Sequence, residues 1–294
     1  MDSKDDLLEV RGLTVKFGRF TALDHVSYDL KRGETLGIVG ESGSGKTTSA
    51  RVVCGLQKAT SGRFELAGRV AMIFQDPLGS LNPRQTIRAA LAEVIRHVRR
   101  SGTRSLSLAP CPRTRQTDES TDVPCPRTRQ TAESTDAPCP RTRQTDDSPA
   151  TVQPPTSNLQ PVEERIRELL SEVGLDESCL DKYPHEFSGG QRQRICIAKA
   201  LALEPELLIC DEAVSALDLS VRATVLDLLA ELKKRLSLTM LFITHDLGVV
   251  SHIADRVLVM SKGKIIEEGP CGQVLKAPRE EYTKRLIASV LRLT

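Results

Sequence analysis

Two runs near the start of the chain, LLEVRGLTVKF (residues 7–17) and ALDHVSYDL (22–30), alternate apolar and polar positions and predict strands. The run TLGIVG that follows is apolar throughout, as a strand buried on both faces is. Further on the period changes. Glu163–Val173 repeats its apolar residues at helical spacing, and Arg192–Leu203 reads as a second helix. Leu207–Cys210 and Thr239–Thr244 are short buried strands, and VLVMSKGKIIEEG reads as a hairpin turning at Lys262-Gly263. Helices alternating with apolar strands predict an α/β fold around a parallel sheet.

The pattern breaks between about Ser101 and Pro161. CPRTRQT recurs at Cys111, Cys125 and Cys139, a period of 14. From Ala109 to Asn158 there is no Leu, Ile, Phe, Met, Tyr or Trp, and nine of the 16 prolines fall there. Such a segment buries too little apolar surface to offset chain ordering, so it is expected to be disordered. The repeat lacks CxxC pairs and histidine, which argues against zinc. Its paired arginines are balanced by two or three acids per copy, which argues against a charged docking tail. A tether of about 50 residues has an end-to-end distance on the order of 40 Å, so it can loop out of a folded domain.

Charge and composition narrow the function classes. The 294 residues carry 41 basic and 39 acidic side chains, a net +2, so a nucleic-acid partner held by a strongly basic surface is disfavoured. Aromatics are 3% with no Trp, which leaves little for base stacking. The length suits one or two domains. No run approaches the roughly 18 apolar residues of a membrane span, and MDSKDDLLEV lacks the apolar core of a signal peptide, so a cytoplasmic location is expected. Cys54, Cys179, Cys196, Cys210 and Cys271 stand singly in apolar or mixed segments and read as small buried thiols.

Three motifs carry chemistry. Gly40-Glu41-Ser42-Gly43-Ser44-Gly45-Lys46-Thr47 matches the phosphate loop G-x-x-x-x-G-K-[ST]. The strand Leu36–Val39 leads into it and a helix-compatible run, Thr48–Cys54, leads out. Its glycines let backbone N–H groups point at phosphate, Lys46 reaches the β- and γ-phosphates, and Thr47 is placed to ligate Mg²⁺. Asp211 and Glu212 end the apolar strand Leu207–Cys210, at the end of a parallel sheet where ligands bind. Asp211 is placed to hold magnesium and Glu212 to act as general base. The plainer alternative is an acid pair at a helix start. Thirdly, Ser188-Gly189-Gly190-Gln191 offers an N-cap and two glycines before the helix Arg192–Leu203, a second anion-binding helix start. One protomer has one γ-phosphate, so a second such end makes sense if it serves another protomer's nucleotide.

GESGSGKT, FSGGQRQR, LLICDEAVSALD and FITHD, in that order, resemble the ATP-binding subunits of ABC transporters over nearly the whole chain apart from the insert. The resemblance implies a P-loop NTPase cassette with a RecA-like parallel-sheet core, an N-terminal antiparallel β-subdomain and a helical subdomain. It also implies a head-to-tail dimer with ATP between one protomer's phosphate loop and the other's SGGQ. Gln75 matches the glutamine that touches Mg²⁺ and senses the membrane partner, so the magnesium set becomes Thr47, Gln75 and Asp211. Asp218 matches the acidic residue of a loop crossing the dimer interface, and His245 the histidine at the γ-phosphate. Phe17 stands where an aromatic stacks on adenine, with Phe20 the lesser candidate, and Thr48 completes the nucleotide contacts.

QDPLGSLNPR, YPHEFSGGQRQR, DEAVSALD and Glu281–Ile287 look most like the second ATPase subunit of dipeptide and oligopeptide importers, whose cassette nickel importers share. Phe187 replaces the usual Leu, Ala213 a frequent Pro, and Arg279-Glu280-Glu281 a proline-flanked histidine motif. The domains expected are residues 1–100 (β-subdomain, phosphate loop, Gln75), 101–160 (repeat insert), 161–270 (helical subdomain through His245) and 271–294 (C-terminal extension). The partners implied are a second ABC ATPase subunit, the same or related, two transmembrane permease subunits and, through them, an extracytoplasmic substrate-binding protein, with no nucleic acid. The location implied is peripheral, on the cytoplasmic face of the cell membrane. A soluble ABC ATPase acting on ribosomes or DNA, and a non-hydrolysing regulatory cassette, are the competing readings. The single cassette disfavours the first, and intact Lys46, Asp211, Glu212 and His245 the second.

Overall fold

The computed structural model describes residues 6–101 and 160–291. The repeats, expected to be disordered, lie outside the described residues.

Two long alternating strands, β1 (Asp6–Phe17) and β2 (Phe20–Lys31), form an antiparallel hairpin, and β4 (Ser61–Leu66) joins the other edge of β1. The resulting sheet has the order β2-β1-β4. The second sheet takes β3 (Thr35–Val39), β5 (Val70–Ile73), β6 (Leu207–Asp211), β7 (Thr239–Ile243), β8 (Arg256–Ser261) and β9 (Lys264–Pro270) in the order β5-β6-β7-β3-β8-β9. All its pairings are parallel except the β8–β9 hairpin, which turns at Lys262-Gly263 as expected. Every residue of β3, β6 and β7 is buried, the consequence of covering both sheet faces.

The helices are α1 (Lys46–Val53), α2 (Pro77–Ser80), α3 (Ile87–Ser101), α4 (Gln160–Glu172), α5 (Gly189–Leu201), α6 (Leu219–Leu236), α7 (Leu247–Ile253), α8 (Cys271–Lys276) and α9 (Glu281–Leu291). Successive strand residues face opposite layers. Leu208, Cys210, Met240 and Phe242 pack with Ile197 and Leu201 of α5 and Val225 and Leu229 of α6. Leu207, Ile209, Leu241 and Ile243 pack on the other side with α1 and with Leu8, Leu13 and Leu23 of the antiparallel sheet. A third cluster joins Val39, Val250, Val257 and Val259 to α8 and α9.

The helical layer is built from α2 to α5. Arg99 Nη2 donates to Pro161 O at 2.9 Å, so the last turn of α3 and the first of α4 are neighbours. Arg88 ties α3 to Glu163 of α4 and, at 3.0 Å, to Asp181.

Element ends shift by up to three residues from the sequence reading, and two of the shifts touch the motifs. α5 begins at Gly189 rather than Arg192, because Ser188 and Gln191 cap each other reciprocally and the glycines complete the first turn. α1 begins at Lys46, so the lysine and threonine of the phosphate loop already belong to the helix. Of the five cysteines among the described residues, Cys54 is half-buried and the other four are buried. No described helix is long and apolar enough to cross a membrane.

Candidate active site

Strands β5, β6, β7 and β3 lie side by side and parallel, so the segments leaving their C-terminal ends emerge along one edge of the sheet. Those segments carry Gln75, Asp211 with Glu212, His245, and the phosphate loop.

The loop is held tightly. Gly40 has φ +152°, and a Cβ there would lie 2.1 Å from Met260 O; at Gly45, φ +103°, it would lie 2.5 Å from Ala22 O. Both positions therefore exclude any side chain. Ser44 is buried; its carbonyl accepts from Gly263 N at 3.0 Å, and its N–H closes back on Glu41 O at 3.2 Å. Ser42 and Gly43 form the exposed outer turn, and Thr48 sits half-buried in the first turn of α1. Lys46 curls back on the loop, its Nζ donating to Gly40 O and Glu41 O, each at 2.8 Å. Burial draws its ammonium below the usual lysine range, against the pull of Glu212 and Asp211.

Thr47 Oγ1 donates to Asp211 Oδ1 at 2.8 Å, which joins α1 to β6. Asp211 is 5% exposed, and burial lifts its carboxyl above the usual range; neighbouring Glu212 adds to the rise and the Thr47 hydroxyl opposes it. The Glu212 backbone is left-handed, φ +49°, a conformation costing about 1–3 kcal/mol for a side-chain-bearing residue. It is over-determined by Glu212 N donating to Ile243 O (2.9 Å) and by Ser215, whose N–H and hydroxyl both donate to Glu212 O (3.1 and 2.8 Å). The carboxylate ends up between two partners. Gln75 Nε2 donates to Oε2 at 2.9 Å, and His245 Nδ1 lies 3.3 Å from Oε1.

Gln75, Glu212 and His245 are thus one hydrogen-bonded group, and Thr47–Asp211 and Lys46 adjoin it through the neighbouring strands. Thr47 Oγ1, the Asp211 carboxylate and the Gln75 carboxamide oxygen, which makes no bond among the described residues, are hard oxygen donors suited to magnesium.

A second group stands apart. Ser188 Oγ accepts from Gln191 N at 3.3 Å, and Gln191 Oε1 accepts from Ser188 N at 3.0 Å. A Cβ on Gly190 would lie 2.4 Å from Val221 Cγ1, and on Gly189 3.6 Å from Leu217. The SGGQ turn therefore rests against the start of α6, beside exposed Asp218 at that helix's N-cap. Among the described residues no hydrogen bond joins Ser188–Gln191 to residues 40–48.

Phe17 and Phe20 flank the β1–β2 turn and are 49% and 61% exposed. Two residues beyond Phe20, Ala22 O meets Gly45, which places this hairpin beside the phosphate loop. Three contacts have no signal in the sequence. Arg222 bridges to Asp246 at 2.8 Å, Tyr282 Oη accepts from Glu41 N at 3.4 Å, and Tyr28 Oη lies 2.8 Å from Ser49 Oγ under α1. Each joins segments far apart in the chain. Near Gln75 opens a groove of about 570 Å³, lined by Met72, Phe74, Asp76, Val94, Cys196 and Lys199.

Residues 23–215 match the ABC transporter family. The oligopeptide transport ATP-binding protein OppF of Salmonella typhimurium is 40% identical over 92% of this chain and 69% of its own length. AppF, an oligopeptide transport ATP-binding protein of Bacillus subtilis, is 38% identical over 94% of this chain and 72% of its own. Among solved structures, cbiO1 of Clostridium perfringens, part of an ABC transporter complex, superposes with a TM-score of 0.66 at 23% identity, covering 99% of this chain and 98% of that one. A dimeric ATP-binding cassette bound to ADP and Pi superposes with a TM-score of 0.62 at 22% identity, covering 90% of this chain and 98% of that one. Motifs, fold and relatives agree: this chain is an ATP-binding cassette protein of the ABC transporter family.

Proposed function

We propose that this chain is the ATP-hydrolysing subunit of an importer of dipeptides or oligopeptides. The observation that carries the catalytic part is the bracketing of Glu212 by Gln75 and His245, one residue from Asp211. Support for the substrate class comes from the 36–40% identity to oligopeptide transport ATP-binding proteins over most of the chain.

Phosphate would be received by the N–H groups of residues 42–48 and by Lys46, whose present carbonyl partners are exchanged for phosphate oxygens. A magnesium ion held by Thr47, Asp211 and Gln75 supplies positive charge to those oxygens when bound. Glu212 orients water and accepts its proton, and His245 fixes the carboxylate and faces the transferring phosphoryl group. Phe17 serves as the adenine platform.

The SGGQ turn, set against the start of α6 and unbonded to residues 40–48 among the described residues, is consistent with a head-to-tail pairing with a second cassette, the same or related. Each SGGQ turn and Asp218 would complete the other's site. The groove beside Gln75 is the natural seat for a segment of the two permease subunits, which hold the complex at the cytoplasmic face of the membrane. Substrate arrives at those permeases on an extracytoplasmic binding protein.

The test is ATP turnover by the complex purified from membranes, with and without peptide-loaded binding protein. Peptide should stimulate hydrolysis, and Glu212→Gln should bind ATP yet hydrolyse about 10²–10⁴-fold more slowly. Normal turnover in that variant would overturn the role of Glu212. Stimulation by nickel-loaded but not peptide-loaded binding protein would overturn the substrate class.

A further inference from the structure

Arg222 lies in the first turn of α6, its N–H bonded to Asp218 O at 2.8 Å. Its guanidinium reaches back rather than outward. Nη1 donates to Asp246 Oδ2 at 2.8 Å, and Nη2 lies 3.4 Å from Leu217 O and 3.5 Å from Ser215 O. Both ends of this strut matter to the reacting groups. Ser215 is bonded twice to Glu212 O, and Asp246 directly follows His245.

Asp246 is itself fixed on its other sides. Oδ1 caps α7 by accepting from Gly248 N (2.8 Å) and Val249 N (3.4 Å), and its N–H donates to Thr244 Oγ1 (3.0 Å). Among the described residues Oδ2 has Arg222 as its one partner. The contacts therefore close a ring, from Glu212 through Ser215, Arg222, Asp246 and His245 back to Glu212. The ring contains a left-handed backbone at Glu212 and an exposed imidazole at His245.

We infer that Arg222 is a positioning residue for hydrolysis: it ties the segment bearing Asp218 to the segment bearing His245 and so keeps Glu212 and His245 in register. The inference rests on the proposed roles of Glu212 and His245. It deepens them by giving the Asp218 loop a direct mechanical link to the γ-phosphate side of the same chain. A planar fork is needed, because one cation must meet a carboxylate and two carbonyls from different directions.

The test is steady-state ATP hydrolysis by the full-length chain in its membrane complex, comparing Arg222→Ala, Arg222→Lys, Asp246→Asn and the Ala/Asn double variant. Misplacing reacting groups by about 1 Å costs on the order of 10²-fold, so kcat should fall about 10–100-fold in each single variant with KM for ATP within about twofold. The double variant should be no slower than the slower single, since both break one link. Added methylguanidine should restore kcat to Arg222→Ala. Arg222→Lys keeps charge and bulk and should lose kcat without loss of thermal stability, which separates positioning from folding.

Unchanged kcat, losses that add in the double variant, or KM rising in step with the fall in kcat would each overturn the inference. Glu212→Gln, run alongside, distinguishes the two layers. If it is inactive while Arg222→Ala is normal, this inference alone fails. If Glu212→Gln turns over normally, the proposed function fails first.

Discussion

Asp211 is held in an environment that disfavours its own charge. Burial raises its carboxyl above the ordinary range, so the folded chain keeps that proton at pH values where the unfolded chain has released it. The sign follows: this group lowers stability as pH rises above the unfolded carboxyl value, and the loss is complete once the folded group has ionised. Asp211→Asn keeps an oxygen for the Thr47 hydroxyl and removes the charge. Its thermal midpoint without nucleotide, measured at neutral pH, should rise above that of the parent while hydrolysis is lost. A lower midpoint would mean that the ionised carboxylate stabilises the fold. Burial disfavours the charge of Lys46 as well, and its Nζ is kept folded on Gly40 O and Glu41 O. A hydrogen bond to a charged group contributes about 1.5–3 kcal/mol, so Lys46→Ala should weaken ATP binding roughly 10–100-fold, read by equilibrium titration.

At the scale of elements, the sheet explains which parts of the sequence are easy to read. β6 and β7 are apolar runs, ended by Asp211 in one and opened by Thr239 in the other, because helices and a second sheet cover both faces, and their pattern and bounding residues mark them without further context. The phosphate loop is equally plain, because its function fixes residue types at fixed spacing. Short β5, Val70–Ile73, is a four-residue edge strand whose partner Leu207–Cys210 lies far along the chain, so nothing local announces it. The Arg222–Asp246, Tyr282–Glu41 and Tyr28–Ser49 contacts are hidden for the same reason: each is made by chain topology rather than by neighbouring residues. The early start of α5 is hidden by Gly189 and Gly190, which look like breakers until Ser188 and Gln191 cap each other. Phe242 gives the sheet its largest fully buried side chain, between β7 and the α5–α6 layer. Phe242→Ala should cost about 3–5 kcal/mol in urea unfolding, with the slope retained.

At the scale of the whole molecule, the candidate site residues divide between two supports. Lys46, Asp211, Glu212, His245 and Gln75 hang from four adjacent parallel strands and share the rigidity of the sheet. Ser188–Gln191 rides on α5, whose neighbours on the helical side are α2, α3 and α4. Cys196 Sγ points to Pro77 O (3.7 Å) and Lys199 Nζ donates to Ser80 O (3.0 Å), so α5 is fastened to the short helix that follows Gln75. A displacement beginning at the groove beside Gln75 would therefore reach the SGGQ turn along a single rod.

The seam where Arg99 meets Pro161 carries a different implication. Chain leaving the end of α3 returns to α4 at nearly the point of departure, so the number of residues between them is almost decoupled from the fold. Lengthening the 58-residue stretch 102–159 by one more 14-residue unit adds only about 0.2 kcal/mol of closure entropy if the tether is loose. Versions carrying two, three or four copies should then melt at nearly the same temperature. Unequal recombination could expand or contract the repeats as neutral length polymorphism, and copy number would record ancestry rather than adaptation.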